Sequence, residues 1–274
     1  MIKYEVIPAT SEVYLVFENT PFGKCKFWMP EGIATPRGLA GVYPRGMCWI
    51  ESSNGLSQKA TLDQVFGPGN VKEIEPVVLE CCGIRCAKEP GLPWTSSIKF
   101  GATRVDFSLA VYNPHDVALP DVCAPLCFKF MDAAWWNPAS CFFSTEKGIQ
   151  NISQTGWIEG RFPSFQKWQI GPDTPYDNPA MNGIWTTNPV RATSPTWVIQ
   201  HEQTGSAIVF SCESAYYIHC NKNNPCTDIA LKLGEIGPRQ TTERSGCIEL
   251  TKGTAEALFN QIGRPQSDMV VAES

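Results

Sequence analysis

The sequence predicts an all-β fold: a large antiparallel β-sandwich with one short C-terminal helix. Among the 274 residues, Gly and Pro number 22 each, a content of turn formers that favours short strands. Apolar residues recur with a period of two along many segments, whereas a helical period is confined to the C-terminus. Charged residues make up only 18% of the chain. We expect one domain over residues 1–265 and a flexible tail over 266–274, since no linker or repeat divides the chain.

The clearest predicted strand is Arg104–Tyr112, in which alternate residues are apolar and which ends at the turn signal of residues 113–116. The apolar run Val122–Met131 follows at once, and we expect it to pair with that strand as its antiparallel neighbour. The same logic predicts further strands, namely Glu12–Glu18, Cys25–Met29, Met47–Glu51, Val71–Cys82, Thr196–Gln203, Ser206–Cys212 and Ser245–Thr251.

Local signals fix a hairpin and the helix. Gln203-Thr204-Gly205 is a short connection between two predicted strands. Thr254 is a predicted helix N-cap, and Gly263 supplies the stop. Between Thr145 and Pro195 the alternation fails, and Pro, Gly and Trp are frequent. Long loops of this kind are often functional, so this excursion is interpreted either as one side of a ligand cleft or as a structural covering or assembly arm.

Composition excludes several classes of function. The net charge is −5 and no basic run is present, which argues against a nucleic-acid partner. No stretch reaches the roughly 18 apolar residues of a membrane span, and the N-terminus has no apolar secretion signal. We therefore expect a cytoplasmic protein without membrane contact. Walker, GxGxxG and GxSxG motifs are absent from the sequence, so no cofactor is predicted.

Twelve cysteines make the chain cysteine-rich, and in a reducing compartment most would be free thiols. Cys123 and Cys127 lie four residues apart in a predicted strand, about 13 Å along it, so we interpret them as core residues rather than metal ligands. For Cys220 and Cys226, which flank a turn, three alternatives stay open: two unrelated thiols, a disulfide, or a metal site that uses His219. The prediction is that the chain has no metal site.

Histidine is rare enough for each of the three to be weighed. His115 lies in a turn, and His201 shares a strand face with Trp197 and Ile199. Tyr217 and His219 share a face of the strand that precedes Cys226. Acid–base chemistry needs a His and a carboxylate within reach of each other, which makes His201, His219, Glu213 and Tyr217 the candidate catalytic residues.

Three segments carry a resemblance to a known family: Arg104–Asn113 with the following Asp121–Phe130, the hairpin Thr196–Cys212, and Leu233–Leu250. Together they resemble the galactose-mutarotase-like β-supersandwich proteins, which act on carbohydrates. The resemblance implies a sugar or uronate bound on a concave sheet face by aromatic and basic side chains. The candidate substrate-binding residues are Arg45, Trp49, Arg85, Trp94 and Trp185.

The function predicted from the sequence is therefore that of a carbohydrate-active protein. Its partner would be a small-molecule or oligosaccharide ligand, and its chemistry would be His/carboxylate epimerisation, isomerisation or elimination. Two alternatives remain: a non-enzymatic carbohydrate- or protein-binding β-sandwich module, and a thiol- or metal-dependent enzyme built around His219, Cys220 and Cys226. The oligomeric state is not predicted.

Overall fold

The computed structural model describes residues 1–7, 12–35, 38–40, 50–52, 55–60, 78–79, 84–85, 92–131, 133–158, 165–171 and 186–262. Within these ranges β-structure dominates. The strands are β1 (Ile2–Val6), β2 (Glu12–Phe17), β3 (Gly23–Trp28), β4 (Ile33–Thr35), β5 (Gly38–Ala40), β6 (Ile50–Ser52), β7 (Gly55–Ala60), β8 (Val78–Leu79), β9 (Ile84–Arg85), β10 (Trp94–Phe100), β11 (Arg104–Tyr112), β12 (Leu119–Phe130), β13 (Cys141–Thr145), β14 (Gly148–Asn151), β15 (Phe165–Gln169), β16 (Thr186–Thr187), β17 (Thr196–His201), β18 (Ser206–Cys212), β19 (Ala215–Asn221), β20 (Cys226–Ile236) and β21 (Thr241–Lys252). The helices are a 3₁₀ turn (Pro138–Ser140), α1 (Ile152–Thr155) and α2 (Ala255–Ile262).

Most of these strands form two large sheets. The larger sheet has ten described strands and runs in the order β1-β2-β3-β12-β20-β19-β15-β16, with β4 and β5 attached to β12. The smaller sheet has nine described strands in the order β14-β13-β17-β18-β21-β11-β10-β7-β6. Almost all neighbours are antiparallel; the pair β15–β16 is parallel. The sandwich predicted from the sequence is confirmed.

The core lies between the inner faces of the two sheets, and phenylalanines dominate its centre. Phe27 and Phe128 project from the larger sheet, and Phe107 and Phe210 from the smaller one. The ring centroids of Phe27 and Phe107 are 5.2 Å apart, and those of Phe128 and Phe210 are 5.7 Å apart. Gly246 of β21 lies so close to Phe107 that an added Cβ would come within 2.4 Å of its ring. Tilted aromatic contacts at these distances stabilise the junction of the sheets.

The hairpin and the helix form as predicted. β17 and β18 pair from Thr196↔Ser211 to His201↔Ser206, and Gly205 in the connection has φ +65°, which glycine adopts without strain. The backbone N–H of Ala257 donates to the Thr254 hydroxyl at 3.3 Å, so Thr254 caps α2. The predicted helix stop at Gly263 and the tail 266–274 lie outside the described residues.

The predicted pairing of Arg104–Tyr112 with Val122–Met131 is wrong. β11 pairs with β10 and β21 in the smaller sheet, whereas β12 pairs with β3 and β20 in the larger one. Residues 113–118 therefore cross between sheets, about 10 Å for a sandwich. The Asn113 side chain holds this crossing by donating to the carbonyls of Val117 (2.8 Å) and Ile236 (3.0 Å).

The segment from Thr145 to Pro195 is more regular than its sequence suggests. Its described parts contain β14, α1, β15 and β16, and β15 extends the larger sheet by pairing with β19. Trp168 of β15 is fully buried in the core.

The described helices include none long and apolar enough to cross a membrane.

Candidate functional site

The outer face of the larger sheet, turned away from the sandwich core, carries a buried polar cluster. In the central strands, alternation sends Phe128, Ile218, Ile229 and Trp168 into the core. Their neighbours in sequence therefore point the other way. We call the following group the outer-face cluster: Cys127 of β12, Cys226 and Asp228 of β20, Tyr217 and His219 of β19, and Lys167 of β15. All six side chains are buried, the most exposed being Cys127 at 7%.

His219 and Asp228 form the centre of this cluster. They lie directly opposite each other in the pairing of β19 with β20, and Nδ1 of His219 is 2.8 Å from Oδ2 of Asp228. The other carboxylate oxygen, Oδ1, accepts the Phe128 backbone N–H at 3.3 Å and the Cys226 thiol at 2.8 Å. These contacts fix the orientation of the Asp228 side chain. They also give its oxygens the partners that a buried polar group needs, because burial without them would be costly. A carboxylate on Nδ1 also sets the orientation and tautomer of the imidazole.

Lys167 and Tyr217 flank the pair. Lys167 is the register partner of His219 on β15, and its ammonium lies 5.3 Å from the centroid of the Tyr217 ring. The rings of Tyr217 and His219 are 5.6 Å apart. A cation within about 6 Å of an aromatic face gains a cation–π attraction. The group thus combines a cation, an imidazole, a phenol ring and a carboxylate on neighbouring strands.

Two thiols complete the cluster on the side of β12. Sγ of Cys127 and Sγ of Cys226 are 3.1 Å apart. The hydrogen bond from Cys226 favours the thiolate of Cys127, but burial and the charges of Asp228 and Glu31 raise the pKa of that thiol to about 12. The hydrogen bond to Cys127, together with burial, raises the pKa of Cys226 well above its usual value. Without a bound cation both groups are therefore neutral thiols at neutral pH.

A second set of charges borders the thiols. Lys26 of β3 pairs with Glu12 at 2.7 Å; burial lowers its pKa, but the hydrogen bond and charge of Glu12 outweigh this, and the net shift is upward. Glu31 is half-buried, and its backbone N–H donates to Pro125 of β12 at 2.9 Å. Burial, followed by the charge of Asp228, raises the pKa of Glu31 to about 8. Glu31 is therefore largely protonated at neutral pH.

The structure separates the four predicted catalytic residues into two groups. His219 and Tyr217 share the outer face, as the strand pattern predicts. His201 lies on β17 of the smaller sheet, where its Nδ1 is 3.2 Å from the Thr204 hydroxyl and its ring is 5.8 Å from Trp135. Glu213 is exposed and accepts hydrogen bonds from the backbone and hydroxyl of Ser245 at 3.2 and 3.0 Å. His201 and Glu213 are thus not part of the outer-face cluster.

The predicted substrate-binding residues are only partly described. Arg45, Trp49 and Trp185 lie outside the described residues, and the structure describes only the backbone of Arg85, in β9. Trp94 is 3% exposed and belongs to the core on β10 of the smaller sheet, so its ring packs between the sheets.

The predicted grouping of His219, Cys220 and Cys226 does not form. Cys220 points into the core, where its thiol donates to the backbone carbonyl of Asn221 at 3.7 Å, while Cys226 lies on the opposite face beside Cys127. Adjacent strand residues project to opposite sides of a sheet, which places His219 and Cys220 back to back. The turn at residues 222–225 therefore does not bring the sulfurs of Cys220 and Cys226 together.

Sequence reasoning missed Asp228, Lys167 and the partnership of Cys127 with Cys226. One local signal was available for Asp228: Cys226, Asp228 and Ala230 alternate with Thr227, Ile229 and Leu231 along one strand. Nothing local could locate their neighbours, because Cys127 and Cys226 are 99 residues apart in the chain. In the described part of the molecule, Cys127, Cys226 and Asp228 form a group whose donor atoms all lie within 4.8 Å of one another, as a metal ion would need.

An open groove lies elsewhere, beside α2 and β14 on the smaller sheet. Its volume is about 600 Å³, and its lining includes Phe142, Gln154, Gln200, Glu256 and Asn260. None of the residues lining it belongs to the outer-face cluster or to the sites predicted from the sequence. The groove and the cluster are therefore separate features.

No family model and no curated protein matches the chain. Solved structures do match it: a protein from Synechocystis sp. PCC 6803 is 8% identical, with 92% of each chain covered and a TM-score of 0.48. A putative aldose 1-epimerase from Escherichia coli is 10% identical over 92% of this chain and 100% of its own, with a TM-score of 0.44. A galactose mutarotase related enzyme from Lactobacillus acidophilus is 8% identical over 93% and 99%, also at 0.44.

Mutarotase-like proteins are thus among the structures that the chain matches, in agreement with the resemblance of its sequence. The fold is defined by its own two sheets.

Proposed function

We propose that this chain is a carbohydrate-active protein that binds a sugar or uronate at the outer-face cluster and uses His219 and Asp228 for acid–base chemistry. One observation carries the proposal: the 2.8 Å contact between these two residues, buried on the sheet face that does not form the core. A paired, buried imidazole and carboxylate with a lysine and a tyrosine beside them is a typical arrangement of a site that moves protons.

The proposal gives each group a role. Because Nδ1 of His219 lies against Oδ2 of Asp228 at 2.8 Å, Nε2 is the nitrogen that would accept a proton from a sugar hydroxyl or from a carbon beside a carbonyl. Asp228 then stabilises the imidazolium that forms. The same ring then returns the proton: to a different atom in isomerisation, to the departing oxygen in elimination, or to the opposite face of the same carbon, after the intermediate has turned, in epimerisation.

Lys167 and Tyr217 support a sugar or uronate as the substrate. An ammonium next to the base suits the carboxylate of a uronate or the developing oxyanion of an opening sugar ring. The Tyr217 ring offers an aromatic surface of the kind that packs against the apolar face of a sugar. Acid–base chemistry of this type needs no cofactor.

A non-enzymatic binding module is the second candidate, and burial favours it. His219 is 0% exposed and Asp228 is 2% exposed, so a substrate reaches them only if the cover of this face opens. If this face stays closed, His219 and Asp228 only stabilise the sheet, and a ligand would bind elsewhere on the surface.

A sugar panel separates these possibilities. We expect at least one monosaccharide, uronate or oligosaccharide to raise the melting temperature of the purified chain, since a ligand that binds the native state stabilises it. The same panel is followed by NMR for interconversion of anomers, epimers or unsaturated products. Absence of stabilisation and of turnover for every sugar would refute the carbohydrate proposal as a whole.

Matched variants locate the chemistry. His219→Gln and Asp228→Asn should reduce turnover by about 100-fold or more, the usual scale for losing a general base. His201→Gln, on the other sheet, is the control and should keep wild-type turnover. Sugar binding without turnover in the wild type would support the binding module and contradict the enzyme.

A further inference from the structure

The two buried thiols on the outer face differ from the other buried cysteines of the described residues. Cys25, Cys123, Cys141, Cys212 and Cys220 all belong to apolar clusters. Cys127 and Cys226 are equally buried, but neither belongs to a cluster of apolar side chains in the described part of the chain. Buried free cysteine normally acts as a small apolar residue. For this pair that role does not apply, because their sulfurs face polar groups.

Three donor atoms converge at the pair. The sulfurs are 3.1 Å apart, and the Cys226 sulfur is 2.8 Å from Oδ1 of Asp228. The three residues come from two adjacent strands, so the rigid ladder between β12 and β20 fixes their positions: Cys127 pairs with Asp228, and Cys226 with Lys129. Donors held on neighbouring strands are better organised than donors on a loop.

We infer that Cys127, Cys226 and Asp228 form a binding site for a thiophilic divalent cation, with zinc as the best fit. Two thiolates and a carboxylate are a donor set that zinc accepts in tetrahedral geometry, with bonds of about 2.3 Å to sulfur and 2.0–2.2 Å to oxygen. The fourth position is left for water.

The distances favour a metal over a disulfide. In a tetrahedral site the sulfurs would be about 3.8 Å apart, so they need to separate by roughly 0.7 Å, which small side-chain rotations supply. A disulfide needs Cβ atoms about 3.5–4.5 Å apart. Cys127 and Cys226 are diagonal neighbours across the strand pair, a position about 7–8 Å apart between residues. A disulfide of about 2.0 Å would require the sulfurs, now 3.1 Å apart, to approach by roughly 1.1 Å, a larger change than the metal requires.

His219 supports the same site without competing for it. Asp228 presents Oδ1 to the thiols and Oδ2 to His219, so one oxygen can bind a cation while the other keeps the imidazole in place. Carboxylate–histidine pairs of this kind commonly orient the ligands of a metal. The inference goes beyond the proposed sugar chemistry, and the two stand or fall separately.

Zinc content of the intact chain tests the inference directly. The full-length protein is purified under reducing conditions, stripped with a chelator, incubated with excess ZnCl₂ and separated from free metal by gel filtration. We expect about one tightly held zinc per chain, as for a site with preformed ligands. With Co²⁺ instead of zinc, thiolate ligation should give a charge-transfer band in the near ultraviolet. No retained zinc and no cobalt–thiolate band would overturn the inference.

Variants confine the metal to these residues. Cys127→Ala and Cys226→Ala should each abolish the retained zinc and the cobalt band, with circular dichroism confirming that the variants are folded. Cys220→Ala is the matched control: this thiol is also fully buried, but it points into the core and donates to the Asn221 carbonyl rather than to a carboxylate, and its loss should leave zinc binding intact. Retention of zinc by the Cys127→Ala/Cys226→Ala double variant would contradict the assignment.

Two further outcomes keep the test decisive. If either alanine variant fails to fold, the cobalt band of the wild type still decides whether thiolates bind the metal. If peptide mapping without reductant finds Cys127 linked to Cys226, and the reduced chain takes up no zinc, the pair is a disulfide site and the metal inference is wrong.

Discussion

The two faces of the larger sheet are both buried at its centre, but one buries apolar side chains and the other buries polar ones. The inner face presents Phe27 and Phe128 to Phe107 and Phe210 of the smaller sheet. The outer face presents the outer-face cluster, whose members are also buried. Apolar side chains can be buried in many arrangements, whereas buried polar groups must meet specific partners. The positions of the side chains on the outer face are therefore constrained more tightly, because each buried polar group needs a specific partner.

The two pairs of adjacent thiols show the same contrast on a smaller scale. Cys141 and Cys220 lie near each other inside the core, surrounded by apolar side chains. Cys127 and Cys226 touch on the outer face, next to a carboxylate. The same functional groups at similar burial are packing in one place and candidate ligands in the other. The groups around a cysteine, rather than the residue type, therefore decide whether it packs in the core or is a candidate ligand.

The largest expected effect is on the inner face. Phe128 is fully buried and contacts the rings of Phe17, Phe27 and Phe210. Phe128→Ala should lower the free energy of unfolding by about 3–5 kcal/mol through lost burial and the cavity that remains. Urea unfolding followed by tryptophan fluorescence measures it.

Phe259→Ala, on a half-buried position of α2, is the control and should cost much less. Equal losses for the two variants would mean that the core between the sheets does not dominate stability.

The next effect concerns the outer face. Asp228→Ala removes the carboxylate that lies 2.8 Å from His219 and accepts from the Cys226 thiol and the Phe128 amide, and should cost about 2–3 kcal/mol because these buried groups lose their partner. The same unfolding experiment applies, at pH 7.

Asp106→Ala removes an exposed carboxylate whose 2.7 Å contact with Arg104 is a surface ion pair, and should cost no more than about 1 kcal/mol. If Asp228→Ala were equally mild, the outer-face network would not contribute to stability.

The smallest effect depends on pH. The pKa of Glu31 is raised from 4.5 to about 8, so the folded state holds a proton that the unfolded state has released. The free energy of unfolding should therefore decrease as pH rises from about 4.5 to about 8, and level off above that. Glu31→Gln, which mimics the neutral acid, should flatten this slope and be more stable than wild type at pH 8.5, by roughly 1–2 kcal/mol. A pH series of thermal unfolding curves checks it.

Glu235→Gln, at an exposed site, serves as the comparison and should leave the slope unchanged. If Glu31→Gln left the slope between pH 4.5 and 8 the same as in the wild type, or made the decrease steeper, the sign of the Glu31 shift would be wrong.

Much of the fold follows from local pattern. Alternation located β11, β17 and β18 to within a residue or two, and a cap residue located α2. The site was predictable only in part: the shared face of Tyr217 and His219 follows from alternation. Asp228 and Lys167, which contact them, could not be assigned, since the pairing of β15, β19 and β20 is not a local property.

By itself the sequence determined which residues of each strand share a face, because the pleat of an extended backbone places every second side chain on the same side. Only the tertiary structure decided which strands lie side by side and what covers each face. That choice sent β11 and β12 to different sheets and brought Cys127 next to Cys226 across 99 residues. The physical reason is that the strand order buries the apolar area of the whole sandwich. That area depends on the strands of both sheets together, so no single segment of the sequence determines it.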